Sequence, residues 1–228
     1  MSSTPPVVMI TGAAGALGRA VVQRFAAAGA SLALLDRDAA QLQQMFPAAA
    51  WADAVDITDE AAVAAAVQRV VASLGRIDAL VHVAGGFEMG EAVHEMTRAS
   101  WERMFSLNAW SFVALAAAVV AQMKAQGGGS IVAVSAAAAG GGQPLKGAYI
   151  ASKSALQRLV ETLAAELAGS GIRVNSVAPT TLDTPANRAA MPDADRSGWV
   201  SLEAAAEAIA FLATPSGAAV HGQHLRLG

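Results

Sequence analysis

The sequence predicts an α/β protein built as one doubly wound parallel sheet with helices on both faces. Three observations carry this. Short apolar, β-rich runs alternate with longer helical stretches along the whole chain, the pattern of successive β–α–β units. The 228 residues suit one domain and contain neither a linker nor a repeat of 20–50 residues. A glycine-rich turn follows the first apolar run and opens directly into a helix.

In chain order, VVMI predicts a strand over 7–10, and the glycine turn leads to a helix over 16–28. SLALL gives a second strand over 31–35 that ends at Asp36, followed by a helix over 38–45. A third strand is expected over 51–56 and a helix over 59–73, whose alanine run 61–66 reads as small-residue helix packing. The fourth strand, 78–83, runs into VAGG at 83–86. One long helix over 98–125 carries the longest apolar run, FVALAAAVVA at 112–121. A fifth strand over 130–134 leads into a glycine-rich irregular stretch, 136–147. In the helix over 149–168, Leu156, Leu159, Val160, Leu163 and Leu167 recur at helical spacing. A strand over 172–177 precedes a second irregular stretch, 179–199, with Pro179, Pro185 and Pro192. A helix over 201–213 and a strand over 223–227 complete the chain. Irregular stretches of this length inside a compact domain are usually functional.

Composition narrows the function classes. A net charge of −3 argues against a nucleic-acid partner, which needs a basic patch. No cysteine means no disulfide, no thiolate nucleophile and no thiolate ligand, in keeping with a reducing compartment. MSSTPP lacks the basic and apolar regions of a secretory signal. The run 112–121 is shorter than the ~20 residues that span a bilayer. A cytoplasmic protein with no membrane partner is the expectation. With 54 % hydrophobic and 14 % charged residues, much of the surface must be small or covered by another subunit.

The chemistry begins at TGAAGALG, 11–18. Glycines after a strand permit a tight turn, close approach of a pyrophosphate, and close helix packing, and the helix N-terminus offers amide donors. Gly12, Gly15, Ala16, Leu17 and Gly18 are therefore candidate cofactor-binding residues in a Rossmann-like site, although the glycine spacing is G-x-x-G-x-x-G. Asp36 lies near the distance of roughly 20 residues expected for a carboxylate that binds the adenosine ribose; a helix cap is its other reading. A carboxylate there repels a 2′-phosphate, so NAD(H) is favoured over NADP(H), with Arg37 softening the preference. Asp56 either accepts from the adenine amino group or is a strand-end turn residue. Ala84, Gly85 and Gly86 either let backbone approach the cofactor or form a plain turn.

Tyr149 is the only tyrosine, and Lys153 follows it by one helical turn, on the same face. A free phenol titrates near pH 10, and a neighbouring ammonium lowers that value. A tyrosine tuned in this way exchanges protons in a reaction.

Taken together, TGAAGALG, Asp36, Asp56, AGG at 84–86, Asn108, Tyr149 with Lys153, and RVNSVAP at 173–179 resemble the short-chain dehydrogenase/reductase family over essentially the whole chain. The resemblance implies that Tyr149 transfers the proton and that Lys153 also binds the nicotinamide ribose. It implies that Asn108 holds a relay water, that Pro179 and Thr184 belong to the cofactor site, and that 179–199 closes over the nicotinamide and a small-molecule substrate. It also implies a homodimer or homotetramer through the two long helices. For Asn108, a kink-forming or backbone-binding role is the alternative. Two positions depart from the family pattern. Ala136 stands where the family has a substrate-orienting serine, so either Ser135 serves or no serine does. Thr180 follows Pro179 where glycine is usual. The stretch TLDTPANRAAMPDADRSGW, 181–199, together with GALG at 15–18 and VAGGF at 83–87, is similar to the dihydropteridine reductase subgroup, which implies NADH-dependent reduction of quinonoid dihydropterin. A general carbonyl reductase or alcohol dehydrogenase of the family is the alternative, and a non-catalytic dinucleotide-binding regulator stands behind it.

The remaining residues point elsewhere. Four histidines, without acids clustered at ligand spacing, do not suggest a metal site. Trp51, Trp101 and Trp110 read as packing residues, and Trp199 either lines the substrate pocket or packs in the core. Met89, Met96 and Met191 are candidates for an adaptable apolar wall.

Overall fold

The computed structural model describes residues 4–228; residues 1–3, part of the stretch weighed above as a secretory signal, lie outside the described residues. Seven parallel strands form one sheet: β1 (Val7–Thr11), β2 (Ser31–Asp36), β3 (Trp51–Ala54), β4 (Ala79–His82), β5 (Gly129–Val134), β6 (Ile172–Pro179) and β7 (His224–Leu227), in the order β3-β2-β1-β4-β5-β6-β7. The helices are α1 (Ala16–Ala27), α2 (Ala39–Met45), α3 (Glu60–Leu74), α4 (Arg98–Phe105), α5 (Ser111–Ala125), α6 (Gly147–Glu166), α7 (Pro185–Ala190) and α8 (Leu202–Ala213).

Alternate strand residues enter two cores. Met9, Leu35, Leu80 and Ile131 pack with Val63, Leu115 and Leu156 from α3, α5 and α6. Ile10, Leu34, Val81 and Val132 pack with Val21, Phe25 and Ile209 from α1 and α8 on the opposite face. This period-2 division commits each strand to one register, because a one-residue slip would exchange the two faces. Strand order reverses between β1 and β4, which opens a crevice at their carboxyl ends. The glycine turn after β1, Asp36, Asp56 and the end of β4 line it.

Each expected strand and helix is present, with local corrections. The third strand ends at Ala54, so Asp56 lies in the turn beyond it. The helix expected from 149 begins at Gly147. The stretch 179–199 is not irregular throughout: it contains α7, with Pro185 in its first turn and Thr184 as its cap. The single helix 98–125 is divided by a π-helical turn, Ser106–Trp110. Its whole path, Arg98–Ala125, is 28 residues long with a window of mean hydropathy 1.8, enough by length and composition to cross a membrane, although the apolar run 112–121 alone is too short. Half of that window is buried inside the fold, through contacts that the run's length alone cannot reveal.

Candidate active site

The glycine turn is built as a cradle. Gly12 has φ +68°, and a Cβ there would lie 2.8 Å from the Ala84 backbone, so the loop can rest on the end of β4 only without a side chain. A Cβ at Gly18 would collide with the Gly12 carbonyl, which explains the close seat of α1 on the loop. Gly15 caps α1 with no side-chain acceptor, leaving first-turn amides to a ligand. A cleft of about 480 Å³ is lined by Gly12, Gly15, Ala16, Leu17 and Gly18 together with Asp36, Arg37, Asp56, Ala84 and Gly85. The Asp36 carboxylate closes β2 onto the loop, accepting from Ala14 N at 2.9 Å and Arg37 N at 2.8 Å. Asp56 accepts from both the backbone and hydroxyl of Thr58, 2.9 and 2.7 Å, and these bonds hold its pKa below the usual carboxylate range. It is a turn residue that also lines the cleft, so the two readings of the sequence meet in one side chain.

Beyond Gly85 stand Asn108, Lys153 and Tyr149. Asn108 is fully buried in the π-helical turn, where its amide accepts from Gly86 N at 2.8 Å and donates to Gly86 O at 3.0 Å and Ser152 Oγ at 3.0 Å. The backbone-binding role anticipated for it is therefore present. A Cβ on Gly85 would sit 2.8 Å from Asn108 Oδ1 and 3.0 Å from Lys153 Nζ, so the glycine is what lets these groups meet the strand end.

Lys153 is buried, and its ammonium donates to Val134 O at 2.8 Å; burial pulls its pKa down to about 8. Burial pushes the Tyr149 phenol above its ordinary value. The lowering expected from helical spacing is therefore corrected: desolvation governs the phenol, while the ammonium turns to the β5 carbonyl. Tyr149 also meets Phe87 edge-on, with ring centroids 4.9 Å apart.

Ser135 does not offer a free hydroxyl. It is 3 % exposed and donates to the Lys153 carbonyl at 3.3 Å. Ala136 follows it with no hydroxyl to offer. Pro179 is the last residue of β6, and Thr184 Oγ1 accepts from Asn187 N at 3.0 Å at the start of α7. Asp183 N and Val200 O, 2.8 Å apart, tie the two ends of the 179–199 excursion.

Sequence reasoning missed His82. It is buried between Thr11 Oγ1 at 2.8 Å and Ser111 Oγ at 3.1 Å, and burial first, then the Lys153 charge, lowers its pKa to about 3. This chain links the glycine loop to the helix that carries Asn108. A histidine ending a buried strand was the available signal. The two histidines near the chain end are also engaged: His221 bonds the Ala164 carbonyl at 2.8 Å, and His224 meets Ser176 Oγ at 2.6 Å and Glu161 at 2.7 Å. Trp101 and Trp110 are not core residues but 42 % and 46 % exposed.

Comparison with known proteins agrees with this geometry. A family model described as short chain dehydrogenase matches residues 6–195. The cis-4-hydroxycyclohexanecarboxylate dehydrogenase of Sinomonas cyclohexanicum is 34 % identical over 230 residues, covering 95 % of this chain and 92 % of that protein. The 2,3-dihydro-2,3-dihydroxybenzoate dehydrogenase of Escherichia coli (strain K12) is 36 % identical over 197 residues, 86 % and 74 % of the two chains. Among solved structures, a 3-ketoacyl-(acyl-carrier-protein) reductase from Brucella melitensis complexed with NADH superimposes with a TM-score of 0.89 at 28 % identity, covering 99 % of this chain and 97 % of that one.

Proposed function

Because the chain belongs to the short-chain dehydrogenase family and is an NAD(P)-dependent oxidoreductase, we propose that it interconverts a small ring alcohol and its ketone, with Tyr149 exchanging the proton at the substrate oxygen. The observation that carries this is Tyr149 beside buried Lys153 at the carboxyl end of the sheet, next to the glycine cradle. The cradle fits a dinucleotide: side chains are excluded at Gly12, Gly18 and Gly85, and the start of α1 is uncapped. When bound, the nicotinamide supplies or accepts the hydride. Gly12, Gly15, Ala16, Leu17 and Gly18 hold the pyrophosphate, Asp36 the adenosine ribose, Asp56 the adenine, and Lys153 the nicotinamide ribose. Ala84, Gly85, Gly86 and Pro179 let backbone approach it, Thr184 holds the carboxamide, and 179–199 closes over the reacting atoms to exclude water. Asn108 keeps the Gly86 peptide in place. The names of two relatives, both dehydrogenases of hydroxylated ring carboxylates, support the ring alcohol.

One observation favours a second reading, the NADH-dependent reduction of quinonoid dihydropterin. Position 136 is alanine, and the Ser135 hydroxyl is bound to backbone. A conjugated imine is already a ready hydride acceptor and asks less of an orienting hydroxyl than a ketone does. The test is one assay series with ring alcohols under NAD⁺, and with ring ketones and chemically generated quinonoid dihydropterin under NADH. Turnover of the alcohols with an inert pterin selects the first reading; the reverse selects the second. Tyr149→Phe is expected to keep cofactor affinity and lose turnover by ~10²-fold or more, the scale of a positioned proton donor; a milder loss would fit the pterin better than a ketone, because a reactive acceptor asks less of the acid. Unchanged turnover removes Tyr149 from the chemistry.

We also propose a preference for NADH over NADPH of ~1.4 kcal/mol or more, roughly tenfold, since Asp36 faces any added 2′-phosphate. Fluorescence titration with both cofactors measures it. Equal affinities would mean that Asp36 does not sit at the ribose, or that Arg37 offsets it.

A further inference from the structure

We infer that Lys146 selects substrates that carry a carboxylate on the reacting ring; this rests on the reading that Tyr149 stands at the reacting atom. Lys146 is where α6 begins, and no side chain caps that helix. A cation is unfavourable at a helix N-terminus, where Ser, Thr, Asp and Asn are preferred. A residue that breaks a local rule without a local benefit points to function.

The backbone around it is held at a cost. Leu145, the residue before it, has φ 61°, and among the described residues it is the sole non-glycine with positive φ. That conformation is disfavoured for an ordinary side chain, whose Cβ is brought too close to the following carbonyl oxygen. Leu145 is 46 % exposed, so burial of its side chain offsets little of this. What holds it is the segment after β4: Gly90 N donates to Leu145 O at 2.8 Å, and Glu91 pairs with Lys146 in a strand-like bridge. The same segment carries Phe87. Lys146 is thus braced against the residue that packs on Tyr149.

The ammonium is free to take an anion. Lys146 Nζ lies 2.8 Å from the neutral amide oxygen of Gln143 and 5.9 Å from the Phe87 ring centroid. Among the described residues no carboxylate pairs with it. The neighbouring acids are engaged elsewhere, Glu88 with Arg103 and Glu91 with the backbone and hydroxyl of Thr97. Phe87 joins the two residues: its ring centroid is 4.9 Å from the Tyr149 ring centroid and 5.9 Å from Lys146 Nζ. A six-membered ring with its reacting carbon at Tyr149 then offers a carboxylate on its far side to Lys146. Phe87 at 60 %, Met89 at 54 % and Val93 at 77 % exposure give the segment unpartnered apolar surface for the ring body. A single lysine offers one compact positive charge, which matches a monoanion.

Binding and turnover test this separately. Calorimetry with saturating NAD⁺ compares cyclohexanecarboxylate with cyclohexanecarboxamide, neither of which has a hydroxyl to react. Wild type is expected to bind the acid at least tenfold more tightly than the amide. Lys146→Gln should bring the two together, and Lys146→Glu should reverse the order. NADH titration checks that both variants are folded. In turnover, the ratio of kcat/KM for cis-4-hydroxycyclohexanecarboxylate over cyclohexanol should fall at least tenfold in Lys146→Gln, through KM rather than kcat. Detectable binding of neither probe, no preference for the acid, or a preference that survives both substitutions overturns the inference. Acid binding through Lys146 without turnover of either alcohol leaves the inference standing and defeats the ring-alcohol reading. Turnover of both alcohols with a ratio insensitive to Lys146 does the opposite.

Discussion

Lys153 shows what a site residue costs the fold. Its ammonium is buried, and its pKa falls from 10.5 to about 8. One pKa unit is about 1.4 kcal/mol, so at neutral pH, where the charge is carried both folded and unfolded, the folded state bears a penalty of roughly 3 kcal/mol. Between pH 8 and 10.5 the unfolded chain binds the extra proton, so the penalty fades as pH rises through that window. Lys153→Met is therefore expected to unfold at higher denaturant concentration than wild type at pH 7. The gain should shrink progressively above pH 8 and be gone by the unfolded lysine's pKa. Denaturant melts at several pH values measure this, and a pH-independent difference would show that burial of the charge is not its source. Spacing alone placed Tyr149 and Lys153 on one face, and that holds. It could not tell that the ammonium would turn to Val134 O, or that burial would raise the phenol's pKa.

At the scale of elements, the site depends on close approach between the end of β4 and the helical path 98–125. The π-helical turn seats Asn108 against the Gly86 peptide, and Gly85 leaves room for Lys153 beside it. Gly85→Ala would force a Cβ to 2.8 Å from Asn108 Oδ1 and 3.0 Å from Lys153 Nζ. Overpacking of this kind costs about 1–3 kcal/mol. Because the displaced groups belong to the proposed site, turnover should fall at least tenfold, beyond what the stability loss explains. Gly140→Ala is the matched control, since a Cβ there meets nothing within 4 Å. Thermal melts and steady-state kinetics on the pair separate the two effects; equal behaviour would mean that the β4 end yields without disturbing the site.

For the whole molecule, the face of α4, α5 and α6 turned away from the sheet carries a groove of about 650 Å³ lined by Trp101, Phe105, Trp110, Leu159 and neighbours. Trp101 and Phe105 stack there with centroids 4.1 Å apart. Large exposed aromatics grouped on one face mark an interaction surface, and we propose that a second copy of the chain covers it. Sedimentation should find a dimer or tetramer in wild type and a smaller species in Trp110→Glu. A monomeric wild type, or an assembly untouched by that substitution, would place any interface elsewhere.

The sequence by itself determined the α/β class, the order of strands and helices, the glycine cradle, Asp36 beside it, and the pairing of Tyr149 with Lys153 on one helical face. Each is written in near-neighbour spacing: apolar periodicity, a turn between strand and helix, or two residues one turn apart. Tertiary structure decided the rest. The π-helical turn forms within what reads as one helix, and its Asn108 bonds a peptide 22 residues away. Ser135 loses its hydroxyl to a carbonyl 18 residues away, and His82 joins partners on β1 and α5. Which core face a strand residue enters, which way a buried ammonium points, and how much water a phenol keeps all depend on segments far apart in sequence. Their contacts exist only once the sheet has brought them together.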